Sequence, residues 1–385
     1  MADRLRCLAL PGAEPDIAFM DAVVAAHAEG LAAALLTRHG EEIAAHSEDL
    51  TEAITPPWKL ERPLRDLWDP AIGTVERLLE SGSGDPTSAA VELGLCLARA
   101  GHRPRGWSAE TARELRPRWN DVLLPAFDRV TLHAGTGLRI ETQRRADGTA
   151  HTVWAGPGVG PGAGAGAGAA DASLPGAKEL VPVNGTSLRL LPEACVREQM
   201  AIEDDFHTIV TFPEPTKELG RSFADAMDLM RDRAPHYEQW VVRVVHAVVP
   251  CDSGASRTRS SSWRDAPGVV LVSVSPQPAA VAEMLVHESC HQYYYLAKRL
   301  GDVVDPADTR LYYSPAVDRE RPLDRVLLAY HAFANVLLLH EALGTPGILD
   351  RMRRDTEQLG APLRDNSSLT PVGRALVQPL MERLS

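Results

Sequence analysis

A chain of 385 residues is long enough for a large core, and its formal net charge of −12 is the wrong sign for a general nucleic-acid or anionic-membrane binder. Five scattered cysteines (Cys7, Cys96, Cys195, Cys251, Cys290) include no C-x-x-C pair, which argues against a disulfide framework or a thiolate zinc knuckle. With reduced thiols, a short apolar stretch at the N-terminus and no uninterrupted run of apolar residues long enough to cross a bilayer, the expected location is the cytoplasm.

Residues 1–135 read as a helical region. Apolar residues recur at helical spacing over Ile17–Leu36, Leu64–Leu79, Ala89–Ala100 and Ala109–Val130. The histidines here, His27, His39, His46, His102 and His133, share no ligand spacing and are expected to be structural. Residues 136–192 read as strands: Leu138–Gln143 and Thr149–Trp154 alternate around Asp147-Gly148, a hairpin signal, and Thr186–Leu191 resumes as a strand. Between them, at about 155–172, a Gly/Ala/Pro tract lacks large side chains and is expected to be a flexible insertion.

Residues 193–385 are expected to form the metal-site region. Helices are predicted over Ala194–Val210 and Glu214–Arg233, and the β-branched run Trp240–Val249 reads as a strand. A Ser/Arg-rich loop, Cys251–Trp263, leads to a second strand at Gly268–Val274; the loop is either a substrate rim or a solvated connection. A helix then opens at Ser275-Pro276-Gln277-Pro278 and stops at Gly301. Beyond a long connection, Leu323–Leu343 is a further apolar helix, followed by helices near 346–358 and 370–384. The predicted fold class is α+β, predominantly α-helical, with a small sheet.

The first of these C-terminal helices carries His287-Glu288-Ser-Cys-His291, an H-E-x-x-H pattern. Residues four apart on a helix share a face, so His287 and His291 can converge on one divalent ion while Glu288 stays free for proton work. A catalytic centre needs a third ligand. His331, centred in the later apolar helix where an unpaired imidazole would be costly to bury, is the first choice, against the alternative of a core histidine bonded to backbone. Glu341, Glu320 and Asp318 are the carboxylate candidates. Ala297 stands where a metzincin would need histidine, which excludes that pattern.

The His287-Glu288-Ser-Cys-His291 motif, the Tyr312-Tyr313-Ser314-Pro315 box, and Arg321-Pro322-Leu323 leading into Leu327–Phe333 resemble the HExxH motif-containing peptide-modification proteins of bacterial ribosomal-peptide (RiPP) clusters. Some of these are iron(II)- and 2-oxoglutarate-dependent peptide β-hydroxylases. The resemblance covers roughly residues 237–345; Ala316 stands where many members carry tryptophan, and His331 where they often carry tyrosine. It implies an oxygenase acting on a ribosomal precursor peptide, with Fe(II) held by His287, His291 and His331. Glu288 would orient a bound water or a substrate amide. Arg321 would face the distal carboxylate of 2-oxoglutarate, since its planar fork matches a carboxylate. Tyr312 and Ser314 would line the cofactor and Tyr313 the reacting centre. Two other readings stand beside it: a zinc hydrolase with Glu288 as general base, and a non-catalytic precursor-peptide-binding module with a structural metal.

Overall fold

The computed structural model describes residues 2–12, 16–60, 63–102, 106–115, 118–119, 122–124, 126–134, 138–155, 178–197, 210–254 and 258–385. The chain begins with six helices: α1 (Ala2–Ala9), α2 (Ile17–His46), α3 (Glu48–Ala53), α4 (Pro63–Leu67), α5 (Pro70–Ser81) and α6 (Pro86–Arg99). Nine strands follow: β1 (Trp107–Leu115), β2 (Arg118–Trp119), β3 (Val122–Leu123), β4 (Phe127–Ala134), β5 (Leu138–Gln143), β6 (Ala150–Ala155), β7 (Lys178–Glu179), β8 (Val181–Pro182) and β9 (Arg189–Leu190). Next come α7 (Lys217–Arg233), α8 (Pro235–Val244), β10 (Ala247–Cys251), β11 (Ser260–Ser262), β12 (Val269–Ser273) and α9 (Pro278–Lys298). The chain closes with β13 (Leu311–Ser314), β14 (Arg319–Pro322), α10 (Leu323–Leu343), α11 (Leu349–Gly360) and α12 (Pro371–Leu384). This is the expected α+β, mostly helical fold.

Two expectations fail, each for a local reason. The segment 109–130, expected as a helix, is largely strand: Trp107, Ala109 and Thr111 point inward at period two, and Glu110 stands opposite Arg129 across the β1–β4 ladder. Trp240–Val249, expected as one strand, is split. Pro235 opens a helix whose buried face is Tyr237, Trp240, Val241 and Val244, and only Ala247–Cys251 is extended. Stacking of the Trp240 and Tyr293 rings at 4.2 Å outweighs the β propensity of the valines. The expected hairpin, β5 with β6, forms in register from Leu138↔Ala155 to Gln143↔Ala150. The Gly/Ala/Pro tract (156–170) and most of the expected helix 194–210 lie outside the described residues.

The element that positions the site is a five-stranded sheet of order β11-β12-β10-β9-β8. Its centre is parallel (β9, β10, β12) and both edges are antiparallel. Alternation separates its two faces. Val248, Val270 and Val272 join the core that contains α9 and α10, whereas Ala247, Val249, Val269 and Leu271 pack with Leu180, Leu191 and Val210 on the other side.

α9 and α10 run antiparallel: His287 faces Phe333, Cys290 faces His331, and the Tyr294 hydroxyl meets the Asp324 carbonyl. Gln292 ties α9 to the N-terminal half, its Oε1 accepting from Trp68 Nε1 and from the backbone N–H of Gly268, both at 2.9 Å. Gly268 turns the chain into β12 with φ of 76°, and a Cβ there would sit 2.4 Å from the Trp68 carbonyl, so only glycine fits.

Among the described residues two helices, α2 and α10, are long and apolar enough to cross a membrane by length and composition. α10 is mostly buried in the core.

Candidate metal centre

Val281, Met284, Leu285, Cys290 and Tyr293 anchor α9 in the core and leave His287 and His291 on its half-buried outer side. Their rings lie 4.7 Å apart, centre to centre. One donor atom each from His287, Glu288 and His291 falls within 4.8 Å of the others. Among the described residues this is the one group of three or more His, Cys, Asp or Glu side chains gathered closely enough to hold a metal.

Glu288 is 1 % exposed, and its Oε2 accepts a 2.7 Å hydrogen bond from the Ser262 hydroxyl and lies 3.2 Å from His291 Nδ1. Burial pushes its pKa up, but His291, His287 and the Ser260 hydroxyl more than reverse that and hold it low, at about 2. The group is therefore a carboxylate. Burial, reinforced by His291, takes His287 down to about 4, which keeps its imidazole neutral at physiological pH. A neutral His287 imidazole and a buried carboxylate, with the His291 imidazole one turn on, are donors that suit a divalent ion, so the donor set fits a metal.

The expected third ligand is not in this group. His331 lies on the inner side of α10, fully buried, with Nδ1 3.1 Å from the Cys290 carbonyl and Nε2 2.9 Å from the Ala9 carbonyl. Asn335 Nδ2 donates to the same Ala9 oxygen, and the Trp240 ring stands edge-on at 6.2 Å. Burial lowers His331 to about 4 against the pull of the carbonyls. It is a core histidine spent on backbone carbonyls. The carboxylate alternatives are elsewhere too: Glu341 pairs with Arg353 at 2.8 Å, Asp318 accepts from the Tyr313 hydroxyl at 2.7 Å, and Glu320 is exposed on β14.

The Tyr-Tyr-Ser-Pro box and Arg321 form a hairpin, β13 with β14, packed on α10 and α11. Register puts Tyr312 opposite Arg321 and Ser314 opposite Arg319 on one face, and Tyr313 opposite Glu320 on the other. Tyr313 is half exposed on that outer face, away from Arg321, contrary to its expected role beside the reacting centre. Tyr312 carries Arg310 over its ring at 5.7 Å and accepts from Asn366. Ser314 is fully buried, and its hydroxyl has no partner among the described residues.

Arg321, half-buried just before α10, has no hydrogen bond or ion pair among the described residues. Burial and the neighbouring Arg325 and Arg319 lower its pKa. The first turn of α10, entered at Pro322, has no side-chain cap, so its backbone donors add to the positive field, which Asp324 in the same turn partly offsets.

A comparison with protein-family models and with curated proteins finds no match.

Four residues at the centre escaped the sequence reading. Ser260 and Ser262 come from the Ser/Arg-rich stretch that reads in sequence as either a substrate rim or a solvated connection. Tyr295 continues the His287–His291 ladder by one more turn, and its phenol feels Glu288 on one side and Arg325 on the other. Arg325 lies one turn after Arg321. The period-two placement of Ser260 and Ser262 was the available signal, and it is readable only once the strand is known.

Proposed function

We propose that this chain is a cytoplasmic metal-dependent enzyme that modifies a peptide, by Fe(II)- and 2-oxoglutarate-dependent hydroxylation of a side chain. The observation that carries the metal is the His287, Glu288, His291 group on one helix turn. His287 and His291 would hold iron with the Glu288 carboxylate beside them, and iron favours such nitrogen and oxygen donors with positions left open. When bound, the metal would supply the oxidative chemistry with 2-oxoglutarate as co-substrate.

The chain's own residues do the rest. Ser262 fixes Glu288, and Glu288 in turn orients the His291 ring through Nδ1, leaving Nε2 for the ion. Arg321, which has no hydrogen bond or ion pair among the described residues, and Arg325, held only at 3.9 Å by Asp324, offer with the uncapped start of α10 a cationic spot where a dicarboxylate would be recognised. That spot favours a carboxylate-bearing co-substrate.

Zinc hydrolysis is the second reading, favoured by the position of the Glu288 carboxylate beside the two imidazoles, where a general base on a metal-bound water would stand. The two readings part on one assay. Protein reconstituted with Fe(II) without air, then given oxygen and 2-oxoglutarate, should release succinate, and omission of iron or Arg321→Gln should reduce it. Retention of zinc, no succinate, and amide cleavage that Glu288→Gln abolishes would assign the hydrolase instead.

A further inference from the structure

Strand β11 is the edge of the five-stranded sheet, and its pairing pattern leaves one line of backbone groups open. Ser273 N–H donates to the Arg259 carbonyl at 2.8 Å, which makes Arg259↔Ser273 a hydrogen-bonded pair of the antiparallel ladder. Alternation makes Ser261↔Leu271 the next such pair. The N–H and C=O groups of Ser260 and Ser262 therefore point away from β12, and no other strand among the described residues takes them. The side chains of the same two serines lie on the sheet face that α9 covers: Ser260 is paired with Val272 and Ser262 with Val270, both of which pack in the α9 core. The Ser262 hydroxyl reaches Glu288. The open edge thus runs beside the metal group, and Phe333 of α10 stands 6.4 Å from His287.

We propose that the peptide substrate adds to β11 as a further strand, its backbone bonded to Ser260 and Ser262, which brings the residue beside Ser262 to the His287–Glu288–His291 group. This rests on the reading of the chain as a peptide-modifying metalloenzyme and names how that peptide is held. Backbone pairing of this kind gives affinity with little sequence demand, and the side chains facing α9 and α10 supply the selection. The short strand, with two outward-facing residues, allows a segment of only a few residues to be gripped, as suits an enzyme that must release its product.

The test uses the full-length protein and a display library of random short peptides selected for binding to it. A peptide enriched on the protein is then resynthesised with single backbone N-methyl groups. Strand addition predicts losses of roughly tenfold at alternate positions, for each N-methyl that removes a backbone bond, and little change at the positions between. Ser260→Ala keeps the outward N–H and should bind as the parent does. Ser260→Pro removes that N–H from an edge position, where proline is tolerated, and should bind at least roughly tenfold more weakly with unchanged circular dichroism. No enriched peptide, no alternation in the N-methyl scan, or full binding by Ser260→Pro would each overturn the proposal. His287→Ala with His291→Ala separates this from the metal reading: the pair should lose metal and keep peptide binding. A chain that binds metal but shows no alternation refutes strand addition alone, and one that shows alternation but binds no metal refutes the enzyme reading alone.

Discussion

The Ser262 hydroxyl donates a 2.7 Å hydrogen bond to Oε2 of Glu288 and so joins the sheet edge to the metal helix. Without that donor the buried carboxylate would have only its histidines and the Ser260 hydroxyl to offset desolvation. Ser262→Ala should leave the fold and the bound metal in place and lower turnover by about 10- to 100-fold, the usual effect of removing a residue that orients a ligand. Ser262→Thr should restore much of that loss. Steady-state rates alongside metal content check this; an unchanged rate in Ser262→Ala would mean that Glu288 needs no holding.

His331→Ala separates ligand from core. Because the neutral His331 ring is packed between the Ala9 and Cys290 carbonyls and can donate to one of them, the variant should bind metal as the parent does and lose about 2–4 kcal/mol of stability, from the lost hydrogen bond and a buried void. Denaturant titration measures the loss. Loss of metal without loss of stability would restore His331 to the centre.

The metal helix was legible in the sequence because its evidence is local. Spacing of His287, Glu288 and His291, proline at the helix start and apolar periodicity all act within a few turns, and α9 and α10 lie where they were expected. His331 was misassigned because sequence shows that an imidazole is buried in an apolar helix but not which side of the helix faces the site. Its partner is the carbonyl of Ala9, more than three hundred residues earlier in the chain. Ser262 and Ser260 were hidden for a similar reason: three consecutive serines carry no periodicity until β12 fixes their register. The valines around 241–249 misled because strand propensity is decided by packing, here against Tyr293.

Stability of the metal-free protein should fall as pH drops from about 6.5 towards 4. His287 and His331 both titrate near 4 in the fold, below the ordinary value of 6.5, so between those values the unfolded chain binds more protons and is favoured as pH falls. Each histidine contributes a slope of up to about 1.4 kcal/mol per pH unit. The dependence should be roughly halved in His331→Leu; a slope unchanged by that substitution would contradict the buried, neutral state of the ring.

Arg321 gives a prediction in which binding and stability part company. It is half-buried, crowded by Arg319 and Arg325 and without a partner among the described residues, so Arg321→Gln should change stability by no more than about 0.5 kcal/mol. It should raise the KM for 2-oxoglutarate by roughly 10- to 100-fold, the worth of a charge-assisted pair. An unchanged KM would place the co-substrate carboxylate elsewhere or favour the hydrolase.

The centre itself is tested most directly by iron content after anaerobic reconstitution, measured on the parent, His287→Ala, His291→Ala and His331→Ala under one set of conditions. With iron as the proposed metal at the His287, Glu288 and His291 group, one equivalent of Fe(II) is expected in the parent and in His331→Ala, and loss of it in either of the other two. Iron retained by His287→Ala and His291→Ala would contradict the assignment of the metal to this turn of helix.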